Sequence, residues 1–304
     1  MPELTPDLVR PFELDQAGLR GRLVRLGPML DRILARHAYP LPVGRLLAEA
    51  TALAALLAGA LKYEGVFTLQ TSGNGPVRLL VADITSAGAL RAYAQYDEAG
   101  VAEAAAPSGA PVPRLLGAGH LAFTVDQGTH TERYQGLVAL EGAALADCVH
   151  HYFRQSEQLE AGLKVAAAHD PATGWHAGGI MLQRLPQEAL AEEAEALDDA
   201  WHEALVKLST ATDAELTEPG LDPDSLLYRL FHESGVRVYP PLAIEDRCRC
   251  SRARIETVLR SLPDADIEDL ASDGEAEITC EFCSTRYQFT RDEITALRHG
   301  SPAP

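Results

Sequence analysis

The sequence predicts an α+β protein in three parts. These are an N-terminal mixed-sheet domain with a buried helix (residues 1–186), an acidic helical linker (187–241) and a small C-terminal cysteine module (242–304). Three observations support this division. A run rich in Ala and Leu, Val43–Lys62, precedes several short segments of strand composition. Residues 187–246 hold fifteen Asp/Glu against three Lys/Arg, a net of −12 out of −18 for the whole chain. Four of the five cysteines fall in two tight pairs, Cys248/Cys250 and Cys280/Cys283.

Val43–Lys62 is apolar on most faces, which predicts a helix buried nearly all round. Val66–Gln70, Val77–Asp83 and Leu90–Tyr96 then read as three strands. Gly73-Asn74-Gly75-Pro76 is the turn between the first two, because Asn-Gly tolerates positive φ. It does not read as a phosphate loop: no Gly-Lys-Ser/Thr comes after it, and the next element is a strand. Residues 97–113, rich in Ala, Gly and Pro, read as a mobile surface loop. Strands are expected around Leu121–Val125 and Glu132–Leu140, joined by a polar turn through Gly128, and then a helix over Glu141–Glu160.

In the acidic part, Gln187–Leu208 is helical in pattern, with Leu190, Leu197, Trp201, Leu205 and Leu208 near one face. Pro219, Pro223, Pro240 and Pro241 punctuate the chain beyond that helix. Two readings are open: a solvated linker with short helices, or a helical segment docked only weakly because like charges oppose its compaction. The last part reads as a loop carrying Cys248 and Cys250, a helix Arg252–Leu262, an acidic helix Asp264–Ser272 and a turn at Asp273-Gly274. A strand then enters Cys280, Tyr287–Phe289 returns, and Thr290 opens a final helix with Glu293 at the capping-box position.

An apolar content of 46 % and a charged content of 23 % are ordinary for a soluble globular protein. The net charge of −18 argues against a binder of duplex nucleic acid or of an anionic membrane surface. Ala50–Leu61 is short for a membrane span. The N-terminus lacks the basic and apolar regions of a secretory signal, so a reducing cytoplasm is expected, where clustered thiols point to metal or redox chemistry.

Two close cysteine pairs flanking residues 251–279 supply four soft ligands, which suit a tetrahedral zinc ion and make the third part a zinc-binding module. With four sulfurs no position stays open to water, so a structural rather than hydrolytic metal is expected. The zinc-deaminase pattern fails, since no His-x-Glu precedes the cysteines and no Pro precedes Cys280. Arg247, Arg249, Arg252 and Arg254 crowd the first pair; they either offset thiolate charge and lower the thiol pKa, or form a plain basic surface. The same thiols can instead close small strained disulfide rings of the reducible, regulatory kind. Oxidation would then remove the metal's donors and unfold a module with little core of its own.

Two other classes fit parts of the pattern. A thiol oxidoreductase would need C-x-x-C opening a helix in a βαβ unit, whereas the second pair here lies between apparent strands. A zinc-ribbon adaptor for nucleic acid or a partner protein would need a basic face, and only the arginine cluster offers one. Cys148, beside His150-His151, reads as a packed structural thiol, or as a third redox or metal group. Ser156-Glu157 has the types for nucleophilic chemistry but no oriented base, and reads as fold-defining. His169-Asp170 reads as a turn, and Trp175 and Trp201 as core or linker-docking residues.

The chain resembles the heat shock protein 33 family of redox-regulated molecular chaperones. The C-x-C and C-x-x-C pairs and Gly274–Cys280 carry the likeness, as do Tyr152–Gln158 and Ala177–Pro186. Thr124–Asp126, Tyr134–Val138 and Gly73–Pro76 fit the family's strand region, while residues 97–113 and the tail after Gly300 look individual. The resemblance implies a holdase rather than an enzyme. Its reduced, zinc-bound form would be inactive. Oxidation, helped by unfolding stress, would form Cys248–Cys250 and Cys280–Cys283 disulfides and release zinc. The linker would then destabilise, and an active homodimer would bind unfolded clients without ATP. As a further expectation, the linker's charge keeps client-loaded complexes soluble.

Overall fold

The computed structural model describes residues 7–104, 109–128, 133–154, 160–184, 191–263, 266–267, 270 and 275–299. Its contacts divide the chain between Asp246 and Arg247 into a larger and a smaller unit.

The larger unit is organised by one helix that both of its sheets pack against. The first sheet starts with β1 (Leu8–Leu14) and β2 (Leu19–Leu26), an antiparallel pair. After α1 (Pro28–Ala35) comes the Ala/Leu helix α2 (Leu41–Ala60), buried along most of its length. Pro42 lies in its first turn, where a missing N–H does no harm. By length and composition this helix resembles a membrane span, but here it is the core. The second sheet begins with β3 (Val66–Gly73), β4 (Val77–Thr85) and β5 (Ala89–Tyr96), each within a few residues of its predicted span. The Asn-Gly turn is tied down where Asn74 Oδ1 accepts from Ala118 N at 2.9 Å.

Residues 97–113 differ from the expected loop. They contain α3 (Glu98–Ala104), and Val101 and Val112 are buried. The alanines that looked flexible are good helix formers, and each turn sets one valine into the core. The sheet continues through β6 (Gly119–Asp126) and β7 (Tyr134–Ala139), and α4 (Leu145–Tyr152) comes next. Residues 155–159 of the expected helix lie outside the described residues.

β8 (Ala161–Asp170) and β9 (Gly174–Arg184) return the chain to the first sheet, β9 pairing with β2. That sheet is covered on both faces. Val9, Val24, Leu26, Ala177 and Met181 face the α2 side, while Phe12, Leu14, Leu19, Leu23, Ile180 and Leu182 face the other.

The acidic segment covers that second face. It forms α5 (Ala191–Ser209), α6 (Asp213–Thr217) and α7 (Pro223–Phe231). Trp201, Leu208, Leu216, Leu226, Leu227 and Phe231 are buried there, and Phe231 stacks on Phe12 with ring centroids 5.9 Å apart. Neither a solvated nor a weakly docked segment describes this. The described carboxylates of these helices are exposed or half-buried, several paired with Arg or Lys, and the apolar stripe decides the packing. Buried Arg25 of β2 donates to the main-chain oxygens of Glu215 and Leu216 and reaches Leu221 O at 3.5 Å. Gly178 of β9 lies so close beneath α6 that a Cβ there would overlap the Leu216 carbonyl oxygen.

Three short strands finish the unit. β10 (Val236–Val238) and β11 (Leu242–Ala243) extend β1, and β12 (Glu245–Asp246) lies parallel to β5. Arg36 grips the nearly buried Asp246 with both guanidinium nitrogens. The second sheet thus has the order β12-β5-β4-β3-β6-β7.

Glu49 of α2 gives this docking a pH signature. Burial pushes its carboxyl up to about 7; Arg45 opposes this, and Asp213 of α6 adds repulsion. The folded state therefore holds a proton that the unfolded chain releases near 4.5. That stabilisation is complete below the unfolded value and is lost as pH rises through about 7. Urea midpoints of the wild type should fall between about pH 5 and about pH 8, and Glu49→Gln should flatten the profile. Parallel profiles for the two proteins would contradict the assignment.

Candidate metal centre

The smaller unit has little apolar material. Its core is Leu259, Ala276, Phe289 and Ile294, with Ile255, Leu262, Ile278 and Tyr287 packed around it. A core of that size does not hold about fifty residues together without a further staple. The elements are α8 (Arg252–Ser261), β13 (Glu275–Thr279), β14 (Arg286–Thr290) and α9 (Arg291–His299). Ser251 caps α8, accepting from Arg254 N at 3.3 Å. Thr290 caps α9 with the predicted reciprocal pattern: its Oγ1 accepts from Glu293 N at 3.2 Å, and its own N–H donates to the Glu293 carboxylate at 2.8 Å. Residues 264–265, 268–269 and 271–274 of the expected acidic helix and turn lie outside the described residues.

β13 and β14 pair antiparallel from Glu275↔Thr290 to Thr279↔Arg286. The loop between them is tight: Cys280 N donates to Thr285 O at 2.9 Å, Ser284 N to Cys280 O at 2.8 Å, and Ser284 is left-handed at φ 56°. This knuckle sets the thiols of Cys280 and Cys283 side by side. Cys248 and Cys250 precede α8 in irregular chain, and their sulfurs meet the knuckle.

All four Sγ atoms lie within 4.8 Å of one another, and all four cysteines are half-buried free thiols. Cys248 and Cys280 are 3.7 Å apart, Cys250 and Cys283 3.3 Å. Sulfurs at about 2.3 Å from one zinc ion sit about 3.8 Å apart at tetrahedral angles, so the constellation has the size a zinc site needs. Soft sulfur in a closed four-ligand set fits zinc chemically as well.

The environment of the thiols differs from the expected arginine field. Burial foremost pushes the Cys250 thiol up to about 12, against the Tyr287 phenol, which donates to its Sγ at 3.2 Å. Burial also raises Cys280, although the N–H groups of Phe282 and Cys283 point to its sulfur. At Cys283 burial pushes upward too, but the hydroxyl and N–H of Thr285 outweigh it and hold the thiol at about 7. Cys250 and Cys248 add to the lowering at Cys283. Arg252 lies 4.1 Å from the centre of the Phe289 ring and donates to Gln288 O and to Glu293, and Arg254 donates to Arg249 O. These two arginines bind the module's own backbone and rings. Sequence reasoning missed Tyr287 and Thr285 as partners of sulfur; the only signal was a hydroxyl two and four residues past Cys283 on the returning strand.

The other singled-out residues resolve plainly. Cys148 is buried in the large core, its thiol donates to Glu141 O and Ala144 O, and burial pushes it up to about 11, so it is a packed thiol. Asp170 Oδ1 accepts from Ala172 N and Thr173 N, making the expected turn. Trp175 lies in the α2 core and Trp201 under the acidic segment. Ser156-Glu157 lies outside the described residues.

Comparison with known proteins agrees with this architecture. The family model described as Hsp33 protein matches residues 7–290. A 33 kDa chaperonin of Caulobacter vibrioides is 39 % identical over 289 residues, covering 93 % of this chain and 94 % of the relative. One from Ectopseudomonas mendocina is 38 % identical over 302 residues, covering 98 % of each. The crystal structure of a 33 kDa chaperonin (heat shock protein 33 homolog) from Thermotoga maritima shares the fold, with a TM-score of 0.78 at 24 % identity over 97 % of this chain and 98 % of that one. With the family model spanning nearly its whole length and relatives this similar end to end, the chain belongs to the Hsp33 chaperone family.

Proposed function

We propose that the protein is a redox-regulated, ATP-independent holdase, not an enzyme, working in the cytoplasm under oxidative stress. The observation that carries this reading is the convergence of four thiols on a module whose core, among the described residues, is four buried side chains. Bound there, zinc would cross-link the chain before α8 to the β13–β14 hairpin and supply order that the small core lacks. Oxidation to Cys248–Cys250 and Cys280–Cys283 disulfides takes all four donors away at once. Without a staple the module loses its fold.

The functional parts in this reading are a core (1–186), a linker (187–241) and a switch module (242–304), with residues 242–246 pairing into the sheets of the larger unit. Cys248 comes two residues after the end of β12, so loss of order in the module frees the far end of the linker segment. The linker does not then fall away by itself. It is held by its apolar stripe, by Arg25, by strands β10 to β12 and by the Arg36–Asp246 pair. This is why unfolding stress has to act together with oxidant. Release uncovers Phe12, Leu14, Leu19, Leu23, Ile180 and Leu182 on the sheet. Such a face binds unfolded chains through apolar area, without reading their sequence. The active form is a homodimer, as the family resemblance implies, and clients are unfolding proteins rather than nucleic acid or membrane. A thiol oxidoreductase is disfavoured because Cys280–Cys283 lies in a hairpin loop rather than at a helix start. A zinc-ribbon adaptor is disfavoured because Arg252 and Arg254 are occupied within the module.

Three measurements test the reading. Peroxide with mild heat should release zinc and raise suppression of light scattering from a denatured test protein; no gain in suppression would sink the proposal. Cys280→Ser should weaken zinc binding at least ~100-fold and leave a partly active, poorly regulated protein under reducing conditions. Full zinc retention would show that the ligand assignment is wrong. Gly178→Val, which thrusts a side chain under α6, should destabilise the larger unit by about 1–3 kcal/mol. It should also raise suppression in the reduced protein with zinc still bound. Unchanged suppression would separate the linker from client binding.

A further inference from the structure

We propose that Tyr287 is a positioning residue that sets how readily Cys250 is oxidised. The inference rests on the reading of the four thiols as a metal-holding, oxidisable set, and adds to it a residue outside that set. Tyr287 lies on β14 opposite Ile278, so the β-ladder fixes its backbone. Its ring packs against the module's core, and its hydroxyl donates to Cys250 Sγ at 3.2 Å, across thirty-seven positions of sequence. Cys280 takes its donors from the knuckle itself, the N–H groups of Phe282 and Cys283, and the Cys283 thiol meets the Thr285 hydroxyl there at 3.2 Å. Tyr287 is therefore the hairpin's reach onto the first pair.

The chemistry that this bond governs is two-electron oxidation by peroxide. The Cys250 sulfur attacks one peroxide oxygen; the S–O bond forms, the O–O bond breaks, and the departing hydroxide takes a proton to become water. The Cys248 sulfur then displaces the sulfenic oxygen; the S–S bond forms, the S–O bond breaks and a second water leaves. Two thiols lose two electrons and one peroxide becomes two waters. A phenol O–H pointing at the attacking sulfur holds electron density that the first step needs and occupies one of its lone pairs. The bond resists oxidation and favours the thiolate that a metal requires. Removing the hydroxyl while keeping the ring should make Cys250 a faster nucleophile and a stronger donor.

The test uses the full-length chain and Tyr287→Phe, with Thr285→Ala as the control on the second pair. Peroxide reactivity is read cysteine by cysteine, by alkylation of the remaining thiols and mass spectrometry, in metal-loaded protein, where the sulfurs are held as thiolates. Tyr287→Phe should speed loss of the Cys250 thiol by about 3–10-fold and leave the initial attack on Cys280 and Cys283 unchanged. Thr285→Ala should leave the Cys250 rate alone. In protein loaded with cobalt in place of zinc, the sulfur-to-cobalt charge-transfer absorption should move to lower energy in Tyr287→Phe, with the tetrahedral d–d bands kept. An unchanged Cys250 rate with an unmoved charge-transfer band would overturn the proposal, as would equal acceleration of all four thiols, which marks simple loosening of the module. If the wild type takes up no cobalt, the metal reading falls and this proposal with it; cobalt uptake with an unchanged Cys250 rate overturns the role of Tyr287 alone.

Discussion

Four sulfur atoms within 4.8 Å of one another are the constraint on which the C-terminal module depends. Every element of the module serves their meeting. The hairpin loop turns sharply so that Cys280 and Cys283 share a side, and the Ser251 cap starts α8 directly after Cys250. Four unionised thiols this close gain little from one another. Four thiolates would repel. On the proposed function a divalent cation relieves that repulsion, oxidation removes it, and the two outcomes exclude each other, as a switch requires.

The larger unit has a matching duality in its first sheet. One face belongs permanently to α2, whose small side chains let both sheets approach it closely. The opposite face is just as apolar but is covered by a segment carrying most of the chain's excess negative charge. Charge outside and leucine inside let that segment dock when the unit is folded and remain well solvated when it is not.

Much of this was legible in the sequence, and the exceptions have a common cause. The helix over Val43–Lys62, the strands from Val66 to Tyr96 and the caps of the cysteine module each arise from local pattern. β9 did not emerge, because a strand buried on both faces loses the alternation of polar and apolar residues that marks a strand; β1, β2 and β8 did not emerge either. The acidic segment misled for the converse reason: its charge is visible in composition, whereas the sheet that receives its apolar stripe is not. The four thiols that gather in the smaller unit were plain from their spacing alone. Tyr287 was not, because its role depends on a hairpin register that no linear spacing encodes.

Arg25 has a consequence of a different kind. Its guanidinium engages the acidic segment through peptide oxygens of Glu215, Leu216 and Leu221, not through any carboxylate. A clasp that grips the main chain tolerates changes of side chain, while the charges of Glu218 and Asp222 add a longer-range pull. The grip should therefore weaken only in part in brine, where an ordinary ion pair would fade.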